Sequence, residues 1–190
     1  MDSRGIEYIK DMLYGARETL THAVKQISTD HAYIHEGLLF CYPVKVAIAA
    51  GQTYKVTFKT PAVTTSGIRV HYRPAFISSS GDKVTVTTYE SASGNSGGSA
   101  VTPINRNRAS TKTATVVVTV GQTVTSNGVI VDMQYIGGGT GVGGTESGAV
   151  ASAEDEIYMG SDNLYNIVIL NESADSNTVM VMLHWYEENE

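Results

Sequence analysis

The spacing of apolar residues changes period once along the chain. Ile6, Ile9, Leu13, Ala16, Leu20, Ala23 and Ile27 follow alternating steps of three and four, the stripe of an amphipathic helix. This predicts one helix over residues 4–27, inside an N-terminal arm of residues 1–30 that serves as an anchor or oligomerisation element. Ala at two seam positions and Gly15 beside them thin the stripe. The seam therefore suits packing on the body or on a partner as well as self-association. Periodicity is lost over residues 28–35, and beyond Gly37 the chain alternates. Tyr54, Val56 and Phe58 interleave with Thr53, Lys55, Thr57 and Lys59, the pattern of a strand with one dry and one wet face.

Similar runs at 38–48, 68–78, 83–90, 113–120, 128–136, 156–159, 164–171 and 178–186 bring the expectation to about nine strands. Turn-forming residues separate them, including Ala50-Gly51-Gln52, Ser126-Asn127-Gly128 and the Gly-rich stretch 137–148, read as a loop. Pro43 lies inside a strand-like run, which predicts an edge or a break there. With no crossover helices between strands, residues 31–190 are expected to form one antiparallel β-sandwich, jelly-roll-like, rather than a βαβ fold.

Composition supports this reading. Val and Thr occur 21 times each against 7 Leu, a bias toward β-branched residues that favours strands. Cys41 is the single cysteine, so burial and assembly must replace disulfides. Residues 1–10 carry Asp2, Arg4, Glu7 and Lys10 with no long apolar run after them. That pattern predicts neither a secretory leader nor a membrane span, and a chain made in the cytoplasm.

Charge is segregated along the chain. Residues 1–112 hold all 13 Lys and Arg against 8 acids, and residues 113–190 hold 11 acids and no Lys or Arg. Neutralisation between the halves, or against a neighbouring subunit, is the expected outcome. No basic stripe with interleaved aromatics is present, which argues against a nucleic-acid partner.

The motifs that could carry chemistry are incomplete. Gly94-Asn95-Ser96-Gly97-Gly98 is similar to the nucleophile segment of chymotrypsin-like proteases, with His35 and Asp82 as the available partners. However, Asp82 stands close to Ser96 in sequence, His35 lacks the surroundings of that family, and the motif lies in a Ser/Gly-rich run. Gly139-Thr140-Gly141-Val142-Gly143-Gly144 matches a dinucleotide fingerprint, but loop residues and no helix follow it. His31 and His35 have zinc-compatible spacing only if helical, and no Cys or Glu pair completes a site. Glu154, Asp155, Glu156 and Asp162 read as a solvated acidic turn before a calcium site. Asn171-Glu172-Ser173 is a formal sequon. No catalytic, metal or cofactor residue is assigned. Arg106 and Arg108 bracket Asn107 where a strand is expected to begin, so alternation places both guanidinium groups on one face, able to pair with carboxylates.

Several segments, in order, resemble a family of minor capsid and head-decoration proteins of tailed phages. They are Ile34-His35-Glu36-Gly37 with Phe40, Tyr89-Glu90, Asn105-Arg106-Asn107-Arg108, Leu164-Tyr165-Asn166-Ile167, Asn171, and Trp185-Tyr186-Glu187. The resemblance implies a non-enzymatic β-sandwich that attaches to the outer surface of an icosahedral shell, often as a trimer, and reinforces it or displays a surface. It implies the major capsid protein as partner and the virion as location, with no membrane and no cofactor. Contact residues expected on this reading are Ile6, Ile9, Leu13, Leu20 and Ile27 of the arm, with Arg106 and Arg108. The other expectation is a carbohydrate-binding or adhesive sandwich module, since such folds host sugar sites in their loops and the chain has 11 Tyr.

Overall fold

A computed structural model describes residues 29–79, 83–136, 148–149 and 156–189. The helix expected over residues 4–27, and with it Ile6, Ile9, Leu13, Leu20 and Ile27, lies outside the described residues. So does the Gly-rich stretch, apart from Gly148.

The body is an all-β sandwich of two six-stranded antiparallel sheets. In chain order the elements are α1 (Thr29–Glu36), β1 (Leu39–Ile48), β2 (Thr53–Lys59), α2 (Val63–Ser66), β3 (Ile68–Ser79), β4 (Val84–Glu90), β5 (Ser99–Val101), β6 (Ile104–Asn105), β7 (Val117–Val120), β8 (Val129–Ile136), β9 (Gly148–Ala149), β10 (Ile157–Met159), β11 (Leu164–Asn171) and β12 (Asn177–Asn189). The first sheet runs β10-β3-β12-β1-β6, with β9 also on β3, and the second β5-β7-β2-β11-β4-β8. The pairings nest: β1 with β12, β2 with β11, β3 with β10 and β4 with β8. That is jelly-roll connectivity, a long hairpin wrapped across two sheets.

Strand alternation builds the core directly. Val56 and Phe58 of β2, Tyr165, Ile167 and Ile169 of β11, and Val179, Val181, Leu183 and Trp185 of β12 are buried on the inner faces. At the centre, Trp185 meets Phe58 at 5.1 Å and Phe40 at 6.1 Å between ring centroids, and Phe58 meets Tyr72 edge-on at 5.7 Å. Offset and edge-on rings add attraction beyond their buried area. The indole Nε1 donates to Glu187 Oε1 at 3.0 Å. Glu187 is itself buried and accepts from Thr115 N, Thr115 Oγ1 and Val116 N. A carboxylate so surrounded ties β12 to the approach to β7 on the other sheet.

The differences from the expected elements have local causes. Residues 29–36 form α1 where no element is expected, because its apolar face is too short to show a period. Gly37, at φ +69°, ends it, with Gly37 N donating to Ile34 O and Leu38 N to Tyr33 O. A side chain at Gly37 would stand 2.3 Å from Ser110 Oγ. The described residues hold twelve strands rather than about nine. The additional ones, β5, β6 and β9, have two or three residues and carry no detectable period. The run at 113–120 shortens to Val117–Val120 because Thr115 and Val116 bind Glu187. Pro43 does not break β1: it pairs with Met182 on one side, while β6 reaches only Phe40 and Cys41 on the other. Its missing N–H therefore falls where β1 is an edge.

Trp185→Ala should lower stability by about 3–5 kcal/mol, and Glu187→Ala by about 3 kcal/mol through the buried donors left without an acceptor. Urea unfolding at neutral pH reads both, and an unchanged midpoint for either would contradict this account of the core.

Candidate functional site

Among the described residues, a dense cluster of charged and aromatic side chains lies on the outer face of the first sheet. Inward residues Val70 and Tyr72 on β3 and Trp185 on β12 leave His71, Arg73, Tyr186 and Glu188 to point outward. His71 and Tyr186 are register partners and stack at 4.4 Å, and Tyr33 of α1 stacks on the same Tyr186 at 4.1 Å. His71 Nδ1 lies 2.7 Å from Glu156 Oε1 and its Nε2 2.8 Å from Glu188 Oε1. Ionised carboxylates only accept, so this arrangement is fully hydrogen-bonded when both ring nitrogens carry a proton. Arg73 donates to Glu156 Oε2 at 3.3 Å from Nε, Tyr186 donates to Glu156 Oε1 at 2.6 Å, and Tyr33 donates to Glu188 Oε2 at 3.3 Å.

The electrostatics follow from this geometry. Burial by itself would raise the Glu156 carboxyl, but hydrogen bonds from Tyr186 and His71, the His71 charge and the Arg73 contact outweigh it and hold the group below the ordinary carboxylate value. Burial, followed by the adjacent Glu156, pushes the Tyr186 phenol up, so it stays a neutral donor. The cluster joins α1, β3, β12 and Glu156 beside β10 into one clasp. It uses its hydrogen-bonding capacity internally, and it fixes α1 on the sandwich.

The second feature is a groove of about 640 Å³ on the outer side of the second sheet, with Val117 and Leu164 among its polar walls. Thr57, Thr119, Gln122, Lys59, Asp162 and Asn163 line it, with the loop at Gly94 and Asn95 as a further wall. Thr57 Oγ1 donates to Gln122 Oε1 at 2.6 Å, and Lys59 Nζ lies 2.6 Å from Asp162 Oδ1. None of the described residues lining it is aromatic. Its hydroxyls and amides suit a hydroxyl-rich ligand held by hydrogen bonds rather than by ring stacking.

The motifs weighed in the sequence fall as follows. Arg106 and Arg108 are exposed, but in a bend and turn after β6 rather than in a strand. The alternation argument for them is therefore corrected: Asn105 and Asn107 close the turn, Asn105 Oδ1 accepting from Asn107 N and Asn107 Oδ1 from Ala109 N. Ser96 pairs through its backbone with Thr123, beside the β5–β7 ladder. His35 lies on α1 with its Nε2 2.8 Å from that of His31, and Asp82 is outside the described residues. Helicity thus brings His31 and His35 together, while no group of three or more metal-ligating side chains occurs among the described residues. Of the acidic turn, Glu156 and Asp162 are described, and cations of the chain already engage both. Asn171 is fully buried, and its Nδ2 donates to Ile48 O, Ala49 O and Asp175 O, so the sequon asparagine is a structural knot. The His71 clasp is not visible in the sequence, because its members are up to 155 residues apart. The one signal was the outward pair His71 and Arg73 facing a chain half rich in acids.

Comparison with models of known protein families, with characterised proteins and with solved structures finds no match to this chain.

Since the Glu156 carboxyl is held low in the fold, its contribution to stability is complete above the ordinary value of 4.5 and is lost as pH falls through the folded value. Glu156→Gln should therefore flatten the acid limb of thermal stability below pH 4.5 relative to the parent chain. An acid limb of unchanged slope in calorimetric scans would remove Glu156 from that role.

Proposed function

We propose that this chain is a non-enzymatic structural subunit of a virion that decorates or reinforces the outer surface of a tailed-phage capsid. On this reading its partners are the major capsid protein and further copies of itself, with no nucleic acid, membrane or cofactor. The observation that carries the proposal is the jelly-roll body whose ionisable side chains lock its own elements together, as Glu187, His71 with Glu156 and Glu188, and Lys59 with Asp162 do. Such a body keeps its shape while presenting large outer faces. Jelly rolls serve capsid and lectin domains alike, and the ordered family-like segments are what favours the first. Within the fold, Glu90 accepts from Tyr165 at 2.7 Å, Asn171 anchors a turn, and Trp185 binds Glu187.

Many weak attachments suffice for this role. Copies bound to a symmetric lattice gain effective concentration from one another, so each interface can be modest. On this reading the arm of residues 1–30 is an anchor to the shell or a stalk between copies, and α1, held on the body through Tyr33, is its point of attachment.

The groove favours a second reading, a carbohydrate-binding or adhesive module, in which Gln122 and Asn163 would contact a sugar.

Purified chain added to shells lacking it should cosediment with them across a range of salt, and deletion of residues 1–27 should abolish cosedimentation while leaving the β-sheet circular dichroism intact. Absence of binding at every salt concentration would overturn the capsid reading. Reproducible glycan-array binding that Gln122→Ala removes would move the assignment to the second.

A further inference from the structure

We propose that His31 and His35 form a two-imidazole site for a divalent transition-metal cation of the nickel or copper type, and that the ion staples α1 at the base of the N-terminal arm. Four residues apart on a helix, the two side chains stand one above the other on one face. Their Nε2 atoms lie 2.8 Å apart and their ring centroids 4.4 Å, with the ring planes at 66°. Both nitrogens thus converge on one point, and both residues are exposed, so an ion reaches them from solvent. The other described histidines are committed elsewhere: both nitrogens of His71 face carboxylates, and Nε2 of His184 is shielded from solvent.

The separation selects the geometry. With metal–nitrogen bonds of about 2.0–2.1 Å, nitrogens 2.8 Å apart subtend roughly 85–90° at the ion, the angle between neighbouring positions of an octahedral or square-planar centre. A tetrahedral centre with the same bonds needs nitrogens about 3.3 Å apart. Nitrogen ligands at right angles suit Ni(II) and Cu(II). Two protein nitrogens suffice for such a centre, because water fills the other positions. Without the ion the neutral pair shares a hydrogen bond, one ring donating from Nε2 and the other accepting. Binding needs both lone pairs, so the donating ring passes its Nε2 proton through water to Nδ1, and the charge of the pair is unchanged.

The position of α1 gives such a staple a purpose. A helix of 8 residues is marginal by itself in water. Its last turn is fixed on the body: Asn107 Nδ2 donates to His35 O at 3.0 Å, Leu38 N donates to Tyr33 O, and the Tyr33 ring stacks on Tyr186. The His35 backbone is thus held, whereas His31 sits one turn nearer the arm. An ion bridging the two rings needs this turn to be helical, so it stabilises the helical state by linkage. The order of the last turn is thereby carried back to residue 31.

The inference goes beyond the proposed function, and the ion is a structural ligand that takes part in no reaction. Ni(II) titrated calorimetrically into the full chain should bind, and His31→Ala and His35→Ala should each weaken that binding by about tenfold or more, because each removes the second, effectively intramolecular ligand. Ala is a strong helix former, so both variants keep α1. Adding Glu36→His to His35→Ala should not restore affinity, since position 36 lies off the helix face that carries position 31. Co(II) in place of Ni(II) should give the weak visible absorption of a six-coordinate ion, and amide exchange over residues 31–36 should slow when Ni(II) binds. Affinity that either single variant leaves unchanged overturns the inference, as does restoration by Glu36→His or the intense visible bands of tetrahedral Co(II). Binding without slower exchange in α1 overturns the staple. Because no shells are present in the titration, each of these outcomes leaves the cosedimentation result standing independently.

Discussion

The pairing of β1 with β12 is the constraint on which the rest of the architecture depends. Ten register pairs, from Leu39 with Tyr186 to Ile48 with Asn177, close a loop that contains every other strand. The entropy of closing so long a loop grows only slowly with its length, but it must be met before the contacts that reward it exist. β12 meets it in two ways. It is hydrogen-bonded on both sides, to β1 and to β3, and it carries Val179, Val181, Leu183 and Trp185 into the core. Glu187 then extends the hold across to Thr115 and Val116 near the second sheet. Closure, core and cross-sheet bond thus converge on one strand.

Once that frame is closed, the charge asymmetry of the chain becomes a means of holding it. The basic N-terminal half contributes Lys59, His71 and Arg73, and the acidic C-terminal half contributes Glu156, Asp162 and Glu188. The nested topology lays β3 beside β10 and β12 and β2 beside β11, so opposite charges meet in Lys59 with Asp162, His71 with Glu156 and Glu188, and Arg73 with Glu156. Charges used in this way are not poised in a cleft. Among the described residues, the groove on the second sheet and the turn bearing Arg106 and Arg108 remain turned to solvent.

Legibility varied with the range of the interaction. The strands 39–48, 53–59, 68–79, 84–90, 129–136 and 164–171 were readable because alternation is local and a slip of one residue would turn the whole apolar set outward. Short strands such as β5 and β6 were not, since two or three residues cannot show a period, and neither was α1. Arg106 and Arg108 lie in a turn, where alternation predicts the start of a strand. The turn they occupy is set by side-chain bonds of Asn105 and Asn107, a chemistry that competes with strand formation. The His71 clasp escaped notice because none of its members forms a motif with its sequence neighbours.

The amino-acid sequence by itself determined the fold class, the alternating faces of the long strands and the segregation of charge, because each follows from residue type and spacing over a few positions. Only the tertiary structure decided the jelly-roll order and which carboxylate meets which cation. Those depend on contacts between segments brought together by closure of the β1–β12 ladder, and no local pattern encodes a distance across that loop.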